Sequence, residues 1–462
     1  MPSAFHGIET SSRALRAFSR SLETIGHNLA NVDTDGYSRQ RVGLETSTPL
    51  DIRYGSALSL GTGVDIAGIS RIRDDFLTAQ AREATGELGR LDGGSAQLRS
   101  VEQAFLDTEG RGIGDRLDKF FSAWSALASN PTEPGLRMEV QAAGRELAAL
   151  VRSTHSQIGS AGRELATAVR NELKSADALT TEIAELNRGI VAAKAQGATP
   201  NDLLDARDRA VQALNRIAEV VTGEDPNGAL NVSIGGYTVV DASGSRGFPQ
   251  AYDPVTGGVS DGSLTFPIRS GTIRGLWEAQ GTLNGFTTRL DTLANTLRTE
   301  TNALHATGVL PDGTVAGNFF GDVVPPLPQT GASDFGLDPT IAASHEAIAT
   351  GISGKAGDGS IALGLSRLKD TALSGLAGKT LSAFHRDLVG DVGRAVSTRD
   401  EARITGEAVL DGIRARASEI SGVSVDEEMA DMLRIQRSYQ AAAKALSAFD
   451  DMTVELLGIL KR

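Results

Sequence analysis

The stretch IETSSRALRAFSRSLETIGHNLANV, residues 8–32, decides how this chain is read. Its apolar residues fall at Ile8, Leu15, Phe18, Leu22, Ile25, Leu29 and Val32, in steps of three and four, with Ser11 filling the one gap. That is a heptad seam, the spacing that keeps one narrow stripe facing a partner helix. A helix from about Ala4 to Val32 would be on the order of 45 Å long. The far terminus repeats the rhythm at Val425, Met429, Met432, Tyr439, Ala443 and Leu446, with Gln436 as its polar member. There the stripe shifts phase through Phe449, Leu456 and Leu460. Such a stripe is often no more than the buried face of a bundle helix. Placement at both extreme ends favours a protein that pairs its ends with each other and with further copies.

The 462 residues suffice for two or three domains at about 100–200 residues each. Only 5% are aromatic, so cores must be filled largely by Ala, Leu, Ile and Val, which suits slim, close-packed helices. The formal charge of -13, with no basic stretch, argues against nucleic acid as a partner, because neutralising phosphates takes Lys and Arg clusters. The lack of cysteine removes disulfides, thiolate metal sites and cysteine nucleophiles together. No run of about 18 apolar residues occurs, so no membrane insertion is expected. Glu9, Arg13, Arg16, Arg20 and Glu23 interrupt the region where a cleavable secretory signal would be unbroken and apolar. Export, if it occurs, is expected to keep the N-terminus.

Along the chain, Asp33-Thr34-Asp35-Gly36 breaks the first helix, and residues 38–72 turn to Thr, Val, Ile and glycine, a β-hairpin pattern. Residues 73–218 read as long antiparallel helices with breaks near Glu109-Gly110, Asn130-Pro131 and Thr199-Pro200. Both prolines suit the first helical position, with Asn130 and Thr199 as caps. Strand signals run from Glu219 to Phe266, with Gly235-Gly236 as a turn between two of them. A helix from roughly Ile273 to His305 precedes a loop containing Pro325, Pro326 and Pro328, and another helix spans about Lys379 to Ser418. The last helix starts at Ser424 and Glu427, an S-x-x-E capping box, with Asp426 and Glu428 at the positive end of the dipole. The expected fold is mainly α with a small inserted β domain. Residues 1–40 with 420–462 would form a terminal coiled-coil layer. Residues 41–218 with 273–419 would form a helical middle carrying the hairpin near 41–72, and 219–272 an antiparallel β domain facing outward.

Chemistry-bearing patterns are few. Asn31-Val32-Asp33-Thr34-Asp35-Gly36 has the first half of an EF-hand loop, but Val42 stands where a bidentate Glu is needed. A helix stop with an Asp/Gly turn is the better reading, and no metal or cofactor is assigned. His6, His27, His155, His305, His345 and His385 show no i,i+4 pairing and read as surface or helix-face residues. There is no G-x-S-x-G, no Walker loop and no dinucleotide fingerprint. Asp74-Asp75 and Asp450-Asp451 lie on helices, where neighbours point about 100° apart and cannot serve as an acid/base pair. No catalytic residue is named, and an enzyme is not expected.

Asn28-Leu29-Ala30-Asn31, Thr34, Gly36-Tyr37 and Ser38-Arg39 resemble the signature at the end of the first helix in bacterial flagellar axial proteins. Ser421-Gly422-Val423, Asp426-Glu427-Glu428, Leu433, Gln436, Tyr439, Ala441, Ala443-Lys444 and Leu456-Leu457 are similar to the matching C-terminal end. Pro200-Asn201, Leu203-Leu204-Asp205, Arg207-Asp208 and Leu214 resemble the helix that introduces the β domain in the flagellar hook-associated protein 1 family. Leu290 to Ala294, Asn302, His305, Gly308, Asn318-Phe319-Phe320 and Ile341 to Ser344 match its pattern further on. Ala210 departs from a usual Leu, and Gly321 to Asp338 is too short for the large extra β domain of many relatives. The resemblance implies a structural subunit, exported to the extracellular flagellum, that forms a ring of identical copies between hook and filament. Its implied partners are the hook protein, a second hook-associated junction protein, and an export chaperone on the C-terminal helix. The alternatives are a hook or rod subunit and, in another class, a secreted coiled-coil adhesin.

Overall fold

A computed structural model describes residues 4–54, 56–105, 112–322 and 331–460. The break read at Glu109-Gly110 and the three prolines of 325–328 lie outside them. In chain order the first elements are helix α1 (Ala4–Ala30) and strands β1 (Gln40–Thr46), β2 (Leu50–Tyr54), β3 (Ser56–Leu60) and β4 (Val64–Arg71). Helices α2 (Asp75–Asp92), α3 (Ser95–Phe105), α4 (Ile113–Ser129), α5 (Pro134–Ala195) and α6 (Asn201–Ile217) follow. Strands β5 (Val221–Glu224), β6 (Leu230–Ile234), β7 (Tyr237–Asp241) and β8 (Gly244–Ser245) come next, then β9 (Ala251–Tyr252), β10 (Val259–Ser260) and β11 (Thr265–Phe266). The chain continues through α7 (Thr272–His305), β12 (Phe320–Asp322), β13 (Phe335–Leu337), α8 (Pro339–Ala343), α9 (Ser360–Arg367), α10 (Leu381–Ser421) and α11 (Val425–Leu460). The fold is mainly α with small antiparallel sheets, as the periodicities imply.

Contacts divide the chain into two compact units. The first comprises Met1–Gly89, Leu173–Gly271 and Thr405–Arg462, so the two terminal helices and strands β1 to β11 all fall within it. The helix pair α1 and α11 packs together, and α1 also lies on β1 and β4. Residues 38–72 form two hairpins where one was expected: β1 pairs with β4, and β2 with β3. Strands β5 to β8 make a four-stranded antiparallel sheet, in which Gly235 and Gly236 form the two-residue turn between β6 and β7. Both have positive φ, which glycine adopts without a Cβ penalty.

The second unit comprises Arg90–Glu172 and Thr272–Ile404. Its core holds an aromatic cluster. Trp124, Phe120 and Phe121 from α4 meet Phe319, Phe320 and Phe335, all fully buried. Phe319 stands edge-on to Trp124 at 5.3 Å and to Phe320 at 4.9 Å, the geometry that ring quadrupoles favour. Asn302 orders the approach of this strand: its Oδ1 accepts from the N–H groups of Phe319 (2.9 Å) and Phe320 (2.8 Å), and its amide donates to Phe320 O at 2.7 Å.

Three sequence readings need correction. His305 and His385 are buried, at 0% and 1% exposure, and are not surface residues. Ala349 N–H donates to His305 Nε2 at 3.1 Å, which leaves the proton on Nδ1 to reach Gly317 O at 2.7 Å. Burial pushes the His305 pKa below its ordinary value. The cap assignments also fail: α5 begins at Pro134, leaving Pro131 in the preceding turn, and α6 has Pro200 itself at the cap position with no side-chain cap. Finally, the capping box of α11 is half made. Ser424 Oγ accepts from Glu427 N–H at 3.5 Å, but the Glu427 carboxylate turns to Arg39 at 2.8 Å, a charged donor stronger than a backbone amide.

Candidate functional site: a polar clasp at the terminal helices

The three motifs that carry the resemblance lie far apart in sequence, yet within the first unit their side chains form one hydrogen-bonded network. It begins where α1 ends. Gly36 takes φ +69° and a Cβ there would meet Arg209 at 2.7 Å, so the turn needs glycine for conformation and for space. The turn sends the chain back so that Gln40 N–H donates to Asn28 Oδ1 at 2.9 Å and Asn28 Nδ2 donates to Gln40 O at 2.9 Å. Tyr37 Oη donates to the same Asn28 Oδ1 at 2.8 Å. Burial, then Asp202, Asp205 and Glu428, push the Tyr37 pKa far above the usual phenol range, so it remains a donor. Asn31 closes the turn locally, donating to His27 O at 3.0 Å and accepting from Thr34 at 3.2 Å.

Glu428, in the first turn of α11, is 2% exposed and joins the two ends. It accepts from Asn28 Nδ2 at 3.0 Å and from Arg39 Nε at 2.6 Å. Arg39 also holds Glu427 at 2.8 Å, and its N–H donates to Ser421 O at 2.9 Å. Burial works against the Arg39 charge, but Glu428 and Glu427 outweigh it and raise its pKa. A buried carboxylate is costly unless paired, so Glu428 without Arg39 would be strongly unfavourable.

The third motif enters through α6. Asp205, 2% exposed, accepts from Ser38 N at 3.0 Å, Ser38 Oγ at 2.9 Å and Arg71 at 2.7 Å. Asp208 accepts from Arg71 at 2.9 Å and pairs with Arg73. For Arg71, burial opposes the charge, yet Asp205 and Asp208 hold its pKa above the ordinary value. Asn201 Nδ2 donates to Ile69 O at 2.9 Å and to Gln40 Oε1 at 3.1 Å. The arrangement positions helices and strands. Among the described residues no cluster of three or more His, Asp or Glu is placed to hold a metal ion.

The seam residues are distributed unevenly. On α1, Ile25 is buried, Ile8, Leu15, Phe18, Leu22 and Leu29 are half-buried, and Val32 is exposed in the turn. The most enclosed positions are the small residues Ser11, Ala17 and Thr24 together with Asn28. On α11, Met432, Ala443, Leu446 and Phe449 are half-buried, whereas Val425, Met429, Tyr439 and Leu456 are exposed, as are Asp426 and Gln436; the side chain of Leu460 lies outside the described residues. Two buried residues of α11, Glu428 and Ile435, define a different heptad, which the half-buried Ala442 and Phe449 continue. Phe449 therefore marks no phase shift. It continues a line that starts on a glutamate, and that polar first member hid the line from a search for apolar residues. Phe449 sits where Gly7 leaves room, a Cβ at Gly7 meeting the ring at 2.6 Å. The same number of residues separates Gly7 from Asn28 as Glu428 from Phe449, so the helices run antiparallel in one register. In the sequence Arg39 and Asp205 read as motif members only and Arg71 carries no signal of its own; their pairing across the chain leaves no local trace.

Among the described residues, no helix is long and apolar enough to cross a membrane. A family model described as the flagellar hook-associated protein FlgK helical domain matches residues 98–320. The flagella basal body rod protein model matches residues 8–37, and the flagellar basal body rod FlgEFG protein C-terminal model matches residues 414–459. Flagellar hook-associated protein 1 of Bacillus subtilis is 27% identical, covering 98% of this chain and 97% of that protein. Flagellar hook-associated protein 1 of Salmonella typhimurium is 26% identical over 68% of this chain and 59% of its own longer one. The flagellar hook junction protein FlgK from Burkholderia pseudomallei has the same fold, with a TM-score of 0.62 at 15% identity, over 74% of this chain and all of that one. Shared ends, a matching helical domain and a relative aligned over almost the entire length lead to one conclusion: the chain belongs to the flagellar hook-associated protein 1 family.

Proposed function

We propose that this chain is a structural subunit of the bacterial flagellum that self-assembles into the junction between hook and filament. The observation that carries the reading is the clasp. It fixes the two terminal helices as one antiparallel pair while leaving Val425, Met429, Leu433 and Tyr439 of α11 uncovered. An apolar line exposed on a defined helix pair is the surface that a coaxial neighbour can cover. The terminal pair would form an inner coiled-coil layer, the helical middle a second, and strands β5 to β11 an outward-facing domain. A hook or rod subunit shares both ends of this design, but the match of the helical domain at residues 98–320 favours the junction protein.

In this reading the protein is not an enzyme. It joins a ring of its own copies to the hook protein on one side and a second hook-associated protein on the other. It lies outside the cell and reaches that place by the flagellar export route with its N-terminus kept. The exposed side chains of α11 would be covered before export by a chaperone that takes a helix in a groove, and Met429 and Met432 suit two successive partners because their side chains adapt. The test is complementation of a strain lacking this protein. The wild-type chain should restore filaments on hooks by electron microscopy, and a chain ending at Ser421 should restore none and lose chaperone binding. Filaments of normal number with the truncated chain would overturn the reading.

A further inference from the structure

The first unit carries a groove and a projecting apolar segment that its own chain does not bring together. The groove, about 350 Å³, lies between α1, β1 and α11, with Ile25, Val42 and Ile435 among its walls and Leu44, 45% exposed, at its edge. The projecting segment is the end of α11. In the register set by Gly7 and Phe449, residues 454–459 run past Ala4, the first described residue of α1. Val454, Leu456, Leu457 and Ile459 there are 63%, 51%, 52% and 66% exposed. Residues 450–459 also carry Asp450, Asp451 and Glu455 and no basic residue. Arg39, Arg41 and Arg434 line the groove; Arg39 is held by Glu427 and Glu428 and Arg434 by Asp431 at 2.9 Å, so the exposed Arg41 is the lining cation outside these pairs.

We infer that the end of α11 from one copy docks in the α1–β1–α11 groove of the next copy, a head-to-tail contact between different surfaces of the same chain. The inference rests on the junction-subunit reading and adds its direction. The groove lies beside the first three turns of α11 and the docking segment at its last two, so one chain cannot satisfy its own groove. A heterologous contact of this kind propagates from copy to copy and does not close on two. Arg41 at the groove and the acids of the segment set the orientation, and burial of the aliphatic side chains supplies the attraction.

The natural chain has no cysteine, so crosslinking can be read cleanly. Leu44→Cys and Leu457→Cys are introduced singly into full-length protein, and strains lacking the native copy are complemented with each variant alone or with both together. Flagella are then isolated and oxidised. Co-expression should give at least about tenfold more disulfide-linked dimer than either variant alone, and the variant carrying both cysteines should give a ladder. Dimer from Leu457→Cys alone at the co-expressed level, or no dimer above a Val221→Cys control, would overturn the head-to-tail contact. If filaments form in those same strains, the junction role stands while this contact falls. If even the native chain restores no filaments, the broader reading is the one that fails. Analytical ultracentrifugation of Leu457→Asp, whose change lies on an exposed helix end, covers the case of a poorly incorporated cysteine variant. It should lack the concentration-dependent association expected of the native chain, and association equal to the native chain's would overturn the proposal.

Discussion

The two units hold themselves together by different means. The second concentrates apolar bulk: Trp124, Phe120, Phe319, Phe320 and Phe335 are buried against one another, and a neutral His305 bridges two backbone groups among them. The terminal helix pair of the first buries small residues, Ser11, Ala17 and Thr24, and relies on directional contacts among Asn28, Arg39 and Glu428. Apolar packing stabilises strongly but tolerates sliding and exchange of similar shapes. A charged hydrogen bond stabilises less and specifies position, because one residue of slip breaks it. A helix pair with a thin apolar interface needs that second property to stay in register.

The largest effect expected is from Trp124→Ala, which should cost the second unit about 3–5 kcal/mol through lost burial and an unfilled cavity. Both tryptophans, Trp124 and Trp277, belong to that unit, so fluorescence of the remaining Trp277 follows its unfolding by denaturant. Amide exchange of α1 and α11 should stay as in the native chain. Equal loosening there would remove the distinction between the units.

Glu428→Ala should cost the terminal pair about 1.5–3 kcal/mol, the range for hydrogen bonds to charged groups, with Arg39 left partly unpaired. The double variant with Arg39→Ala should be less destabilised than the sum of the two singles. Strict additivity would mean that the clasp is not coupled.

Acid should act on the second unit through His305. Its pKa is lowered in the folded protein, so the neutral form is the native one and the contribution is intact above the unfolded pKa of about 6.5. As pH falls below that value the unfolded chain binds the proton preferentially, and stability drops by up to about 1.4 kcal/mol per pH unit until the lowered pKa is reached. His305→Gln should flatten this slope in tryptophan-monitored melts between pH 6.5 and 5. An unchanged slope would place the acid sensitivity elsewhere.

Gly7→Val should push Phe449 aside at a cost of about 1–2 kcal/mol by overpacking, speeding amide exchange at the start of α1 more than near Asn28. Ser424→Ala should be the mildest, about 0.5 kcal/mol, because its cap bond is long at 3.5 Å. A loss above 2 kcal/mol would show that the cap, and not the clasp, anchors α11.

Much of this was legible in the chain itself. Periodicity located α1, α7, α10 and α11 to within a few residues, Gly36 marked the first turn, and Gly235-Gly236 marked the hairpin between β6 and β7, since helix period, strand period and positive-φ glycine are local properties. Motif spelling identified the family. What only the tertiary structure decided is which residues meet: Glu428 with Asn28 and Arg39, Asp205 with Ser38 and Arg71, Phe449 with Gly7. It also moved the inward line of α11 onto Glu428 and Ile435, both buried, with the half-buried Ala442 and Phe449 continuing it, and put His305 and His385 in the core. A heptad search scores apolar side chains one helix at a time. It therefore misses a line that opens with a paired carboxylate, and it cannot tell that α1 rests on β1 and β4 as well as on α11, which draws its most enclosed positions onto small residues. Burial and pairing are properties of two surfaces in contact, and the second surface is supplied only when the chain folds.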